Sequence, residues 1–224
     1  MQSERRRAIV RDGIAVSIAT GVYGISFGAI SVTSGLDVWQ TCALSLLMFT
    51  GASQYALVGV LGAGGSPVTA AAGALLLGSR NTLYGLKLAP LLGWTGWRRL
   101  GAAHLTIDES MANATAQETP DEQSRGFWTA GLGVFVMWNT FTLVGALAGN
   151  AMGDPARWGL DGAACAAFLG LLWPRLHGRD PIAIAVVCAV ATIVCIPLTT
   201  PGLPIIIAAV VAAAVWATQH RRAA

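Results

Sequence analysis

Seven apolar segments run along the chain, at about residues 13–35, 38–62, 67–93, 122–150, 157–176, 181–198 and 201–218, with polar residues gathered at their ends. An apolar run of about 20 residues is long enough to cross the hydrocarbon core of a bilayer. Residues 13–79 carry a single charge, Asp37, while 126–152 and 181–219 carry none. Helices so poor in charge have no polar face to turn toward water. The pattern predicts an all-α, polytopic membrane protein of about seven transmembrane segments. Helix starts are marked by an N-cap oxygen before a proline at Ser66-Pro67, Asp154-Pro155 and Asp180-Pro181. Thr119-Pro120-Asp121-Glu122 adds a capping-box carboxylate.

These segments divide the chain into a basic amino terminus (1–12), a first three-span unit (13–93), a polar connector (94–119), a second three-span unit (120–198), and a last span with its tail (199–224). Gly24-Ile25-Ser26-Phe27-Gly28 and Gly145-Ala146-Leu147-Ala148-Gly149 are each followed by Gly-Leu-Asp, at Gly35–Asp37 and Gly159–Asp161. That echo is consistent with inverted three-span repeats containing broken helices, or with chance in a glycine-rich chain. Arg5, Arg6, Arg7 and Arg11 before the first span predict a cytoplasmic amino terminus. Seven crossings would then leave Arg175, Arg179, Arg221 and Arg222 outside. The balance improves if 98–117 also crosses, or if an earlier segment is re-entrant. Within 98–117, Leu100, Ala103, Ile107, Met111 and Ala114 share one helical face, which also fits an interfacial helix.

Composition agrees: 54% of residues are hydrophobic, 11% are charged, and mean hydropathy is +0.61. The net charge of +3 sits at segment ends and points to the bilayer rather than to nucleic acid. Cys42, Cys165, Cys188 and Cys195 lie in apolar segments without ligand spacing, and His104, His177 and His220 are isolated. Neither a metal site nor a cofactor is expected. Gly51-Ala52-Ser53-Gln54 lacks the second glycine of a nucleophile turn, and no histidine lies in an apolar span, so an enzyme is not expected either.

Chemistry is sought where polar groups interrupt apolar runs. Arg80 sits midway between Pro67 and Gly93, where a guanidinium costs a few kcal/mol unless it meets partners or water, on the order of 3 by insertion scales. Ser79-Arg80-Asn81, with Tyr84 one turn later, is the most specific cluster. Arg80 either binds a substrate carboxylate or pairs permanently with Asp108 or Glu109. Those two acids either start a short helix, as Thr106-Ile107-Asp108-Glu109 reads as a capping box, or take up a coupling proton. Gly21, Gly24 and Gly28, with Phe27, either allow close helix packing or mark an interrupted helix whose free backbone meets a substrate. Gly51, Ser53 and Gln54 form a second candidate break, and Asn139 beside Trp138 is a further polar interruption.

Four pieces resemble one family together: Gly24-Ile-Ser-Phe-Gly28, Phe49-Thr-Gly-Ala-Ser-Gln54, Arg80 through Pro90 (Arg-Asn-Thr-Leu-Tyr-Gly-Leu-Lys-Leu-Ala-Pro), and Thr106-Ile-Asp-Glu-Ser110. In order and spacing they are similar to the AzlC family of branched-chain amino acid permeases, over about residues 10–150. Two departures stand out. The family usually shows Asn-x-Arg-His around the arginine, where this chain has Ser79 and Asn81. It usually has Thr directly before Asp, where Ile107 intervenes. The resemblance implies a bacterial inner-membrane component that works with a small AzlD-type membrane subunit to export leucine, isoleucine and valine, with methionine and leucine analogues as related substrates. The expected site comprises Gly24, Phe27, Gly28, Gly51, Ser53, Gln54, Arg80, Asn81, Tyr84 and Asn139, with Asp108 and Glu109 as coupling or structural acids. The alternatives are a carrier for another small solute, or a channel or non-transporting membrane subunit.

Overall fold

The computed structural model describes residues 2–152 and 176–223, with isolated positions between them (157, 159, 162, 169, 172 and 173). Among the described residues all regular structure is helical. In chain order the helices are α1 (Gln2–Thr33), α2 (Val38–Leu47), α3 (Gly51–Gly62), α4 (Pro67–Leu92), α5 (Gly96–His104), α6 (Asp108–Thr115), α7 (Pro120–Met152), α8 (Arg179–Cys195) and α9 (Leu203–Ala223). Among the described residues three stretches are long and apolar enough to cross a membrane: Ser3–Thr33, Pro120–Ala151 and Arg179–Leu198. The predicted segment 157–176, Cys165, Asp154-Pro155 and the Gly159–Asp161 echo lie largely outside the described residues.

The frame is a close pair of long helices. Gly13 of α1 lies against Thr129 of α7, Gly21 against Met137, Gly24 against Trp138, Gly28 against Thr142, and Ala29 against Gly149. Numbers rise together along both helices, so α1 and α7 run parallel. The approach is so close that a Cβ on Gly28 or Gly145 would overlap the backbone of the facing helix. Hence α1 is continuous through Gly21, Gly24 and Gly28, and the interrupted helix considered from sequence is not found. These glycines serve contact between helices. At the end where α1 begins, Arg5 pairs with Glu118 and Glu122, both at 2.9 Å, and ties α1 to the start of α7.

The segment 38–62 does not form one straight helix. It breaks at Met48–Thr50 and reverses. Asp37 caps α2 through the Gln40 amide (2.7 Å) at the end where α1 finishes. Ser45 then reaches Thr142 of α7, and Phe49 at the tip meets Phe135. Helix α3 returns, with Tyr55 bonding the Tyr23 carbonyl (2.9 Å) and Gly62 arriving beside Ser34. Helices α2 and α3 are therefore a hairpin that dips about halfway along the frame and comes back.

Helix α4 starts as its sequence dictates, with Ser66 accepting from the Thr69 amide and Pro67 at the first position. It ends on Gly93 in the left-handed region (φ 59°). It runs the length of the frame and delivers Trp94 beside Phe127 and Trp128, near the beginning of α7.

From that end a second hairpin enters. Helix α5 carries His104 in to Phe135 and to Phe49 of the first hairpin. Helix α6 returns, bringing Asn113 against Gly13 and Gly126. The continuous helical face over 98–117 read from the sequence is thus split. Thr106 donates to the Ala102 carbonyl (2.7 Å) and closes α5, while Ser110 accepts from Ile107 N–H (2.9 Å) and opens α6. The capping box expected from Thr106 and Glu109 does not form: Ser110 takes the Ile107 N–H, Ile107 has no side-chain acceptor to offer in return, and neither Asp108 nor Glu109 is used to cap the helix through Thr106.

The last two helices attach at the opposite end. Gly202, in the turn between α8 and α9, lies against Val60 and Thr69, and Pro201 beside Gly65. Asp180 lies inside α8 rather than capping it, since the helix begins at Arg179. Helices α8 and α9 are antiparallel, with Cys188 near the Ala208 carbonyl. The start of α8 and the end of α9 therefore point toward the end where α1 begins.

Candidate functional site

The two hairpin tips, entering from opposite ends, meet at the middle of α4, where Arg80 stands. Arg80 Nη2 lies 2.8 Å from Asp108 Oδ2, and Tyr84, one turn further along α4, donates to Asp108 Oδ1. The spacing of four residues puts Arg80 and Tyr84 on one helical face. A single carboxylate at the start of α6 thus takes both. Arg80 Nε is buried and has no partner, so the guanidinium keeps unused donor capacity.

Beside this pair is a cavity of about 90 Å³. One wall is the first turn of α3, at Thr50, Gly51 and Ala52; another is the start of α6, at Ile107, Asp108 and Glu109. Arg80 and Asn81 close it from α4, Thr20 and Tyr23 from α1, and Val134 and Trp138 from α7, with the rings of Phe49 and Tyr55 adding apolar surface. Two helix N-termini converge here, each carrying roughly half a positive charge from its unpaired N–H groups. At α6 the charge is met by Asp108 and Glu109. At α3 no side chain caps the helix through Thr50 and no acidic residue stands in its first turn. That turn and Arg80 form a place for an anion, while the two carboxylates and the aromatic faces form a place for a cation.

Glu109 accepts from the Thr20 hydroxyl (3.3 Å). Asn81 carries a buried amide oxygen without a partner.

The remaining predicted residues lie behind this wall. Gln54 is fully buried. Its amide donates to the carbonyls of Met48 (2.7 Å) and Ser45 (3.3 Å), and its oxygen accepts from Trp138 Nε1 (2.9 Å). It fastens the tip of the first hairpin to α7. Ser53 is buried near Thr50, 3.4 Å between hydroxyls. Phe27 has no exposed surface and packs on Tyr55 and Trp138, at ring distances of 5.5 and 5.9 Å. Gly24 and Gly28 belong to the α1–α7 contact, and Tyr84 serves Asp108. Asn139 donates to the Phe135 carbonyl of its own helix (2.7 Å) and does not line the cavity. Sequence reasoning therefore brought Gly51, Arg80, Asn81, Asp108 and Glu109 to one cavity. The other lining residues, Thr20, Tyr23, Phe49, Thr50, Ala52, Tyr55, Ile107, Val134 and Trp138, were not in the expected site. Those among them with a polar group carry it as single hydroxyls or an indole N–H in apolar runs, which is a weak signal.

Residues 15–152 match the family model described as AzlC protein. A membrane protein of Helicobacter pylori strain J99, described as uncharacterized, is 26% identical over 185 residues, covering 78% of this chain and 80% of that protein. A second uncharacterized membrane protein, from strain 26695, is 29% identical over 139 residues, covering 60% of this chain and 61% of its own length. No solved structure matches.

Proposed function

The chain belongs to the AzlC family, and from that premise we propose that it is a secondary transporter exporting leucine, isoleucine and valine across a bacterial inner membrane together with a small AzlD-type membrane subunit. The observation that carries this reading is the cavity between the hairpin tips, which offers separate places for the two charges of an amino acid. The substrate carboxylate meets the first turn of α3 and the free face of Arg80. Its ammonium meets Asp108, Glu109 and the aromatic rings. The side chain lies against Phe49, Ile107 and Val134. Broken helices whose N-termini face a carboxylate near mid-depth are a recurrent transporter device.

At about 90 Å³ the cavity is below the roughly 300 Å³ at which small-molecule pockets usually begin. The closed form must therefore widen to load. The breaks at Met48–Thr50 and Leu105–Ile107 are the hinges for that change, as each lets one short helix tilt without unwinding α4. Glu109, at the cavity wall beside Asp108 and bonded to Thr20, is the proposed coupling group.

Orientation follows from charge. Arg5, Arg6, Arg7, Arg11, Arg98, Arg99 and Arg125 all belong to the end where α1 begins, and the end where α1 finishes has Asp37 in its first loop. By the positive-inside rule the amino terminus is cytoplasmic. Because both hairpins return, Arg179 and the carboxyl-terminal Arg221 and Arg222 come to the same side, which resolves the imbalance that seven straight crossings create. Trp97 and Trp39, exposed at opposite ends, fit the two interfacial belts.

The test is efflux from cells loaded with a leucine-containing dipeptide, with this chain expressed alone and with its small partner. Faster appearance of leucine outside, competed by valine and isoleucine, is expected when both chains are present. Unchanged efflux with verified membrane expression of both chains contradicts the substrate assignment.

A further inference from the structure

A second, larger space stands next to the small cavity. It is a groove of about 660 Å³ between α4 and α5, on the half of the molecule where α1 begins. Asn81 lines both spaces. From Asn81 the groove passes Gly85, Ala89 and Ala103 and reaches Trp94 and Arg99 near the ends of the helices. Small residues keep its middle wide, and polar groups recur along its length at Asn81, Thr95, Arg99 and Thr106.

We infer that the α4–α5 groove is the cytoplasmic half of the solute path, and that Asn81 marks the threshold between it and the small cavity. The inference rests on the transport reading and on the orientation given above. Two features support it. The buried oxygen of Asn81 has no partner in the protein, and such a group is costly unless water or a solute donates to it. A solute ammonium passing between the two spaces is such a donor. The groove also ends next to residues that wall the cavity: Thr106 lines the groove, and its chain neighbours Ile107 and Asp108 line the cavity. One tilt of α5 about its break therefore changes both spaces together. Solute arriving from the cytoplasm meets Arg99 first, runs along the face of α4 that carries Gly85 and Ala89, and reaches Arg80 by passing Asn81.

The experiment uses the full chain co-expressed with its small partner, with Cys42, Cys165, Cys188 and Cys195 replaced, and single cysteines introduced as Ala89→Cys, Ala103→Cys and, as a control, Leu83→Cys. Leu83 is 65% exposed on α4 and does not line the groove. A charged, membrane-impermeant thiosulfonate is applied to inside-out vesicles and, separately, to right-side-out ones. The expected result is modification of Ala89→Cys and Ala103→Cys from the cytoplasmic side, little at Leu83→Cys, and loss of leucine transport on modification. A groove that stays unmodified is dry or filled by lipid or a partner helix, and overturns the inference. So does modification that leaves transport intact. If the unmodified protein moves no leucine, the substrate reading fails on its own. The labelling pattern then still decides the path, because access from the cytoplasmic side at both groove positions keeps it and absence of access removes it.

Discussion

The α1–α7 contact and the hairpin-tip cavity are built from the same kind of sequence, small and polar residues inside apolar runs, yet they do opposite things. Along α1 and α7 the helices are unbroken, so many polar side chains find a partner one turn back, as Ser17 does at Gly13 and Ser31 at Phe27. The glycines there remove volume and let two backbones touch. At the tips the helices are broken, so backbone N–H groups are released and the polar side chains must look across the molecule. Arg80 reaches Asp108, 28 positions later, and Gln54 reaches Trp138 on α7. A glycine or serine in an apolar run thus says little by itself. Whether the helix around it continues decides whether it packs or binds.

Substitutions can sharpen this contrast. The largest effect is expected at the contact. Gly28→Leu has no space beside Thr142 and Ala146, and overpacking of a close helix pair costs about 1–3 kcal/mol or more. Loss of the folded, membrane-inserted chain is expected, read as absence of a monodisperse peak after detergent extraction; a well-folded variant with full efflux would show that the contact is loose. Next comes Asp108→Asn, which leaves Arg80 without its charge partner. Efflux should vanish while the amount of extractable protein falls only in part.

Gln54→Ala is intermediate. It strands the Trp138 N–H and the Met48 carbonyl, at about 1–3 kcal/mol for a buried unpaired group. A lower melting temperature with residual efflux is expected, whereas complete loss of efflux at unchanged stability would move Gln54 into the binding surface. The smallest effect is at Glu109. Glu109→Gln keeps the size of the side chain and an oxygen for the Thr20 hydroxyl, so the melting temperature is expected to stay close to that of the unchanged protein. If Glu109 also carries the coupling proton, efflux of the variant becomes insensitive to collapse of the protonmotive force.

Much of this was legible in the sequence where a local rule decides it. Ser66-Pro67 and Thr119-Pro120 start helices because capping chemistry is local. Arg80 announces a polar site because a mid-span guanidinium requires one. The hairpins were not legible, since 38–62 has the length and apolarity of a crossing. What reverses it is the Gln54 amide tying Met48 and Ser45 to Trp138, a contact spanning 84 positions. The second hairpin was obscured by the regular spacing of Leu100, Ala103, Ile107, Met111 and Ala114. That spacing suits one helix, yet Leu100 is 62% exposed while Ile107 is buried. The break there is chosen by Ser110 and Thr106, two hydroxyls that bond backbone within five residues.

The central claim is that the pair of Arg80 with Asp108 at the hairpin tips is the solute site and not merely a brace. The direct measurement is leucine efflux by Arg80→Ala, co-expressed with the small partner and normalised to membrane abundance and to co-purification of the two chains. Efflux is expected to be lost while abundance and assembly persist. Retained efflux would contradict it, and loss of assembly together with efflux would assign Arg80 to the brace.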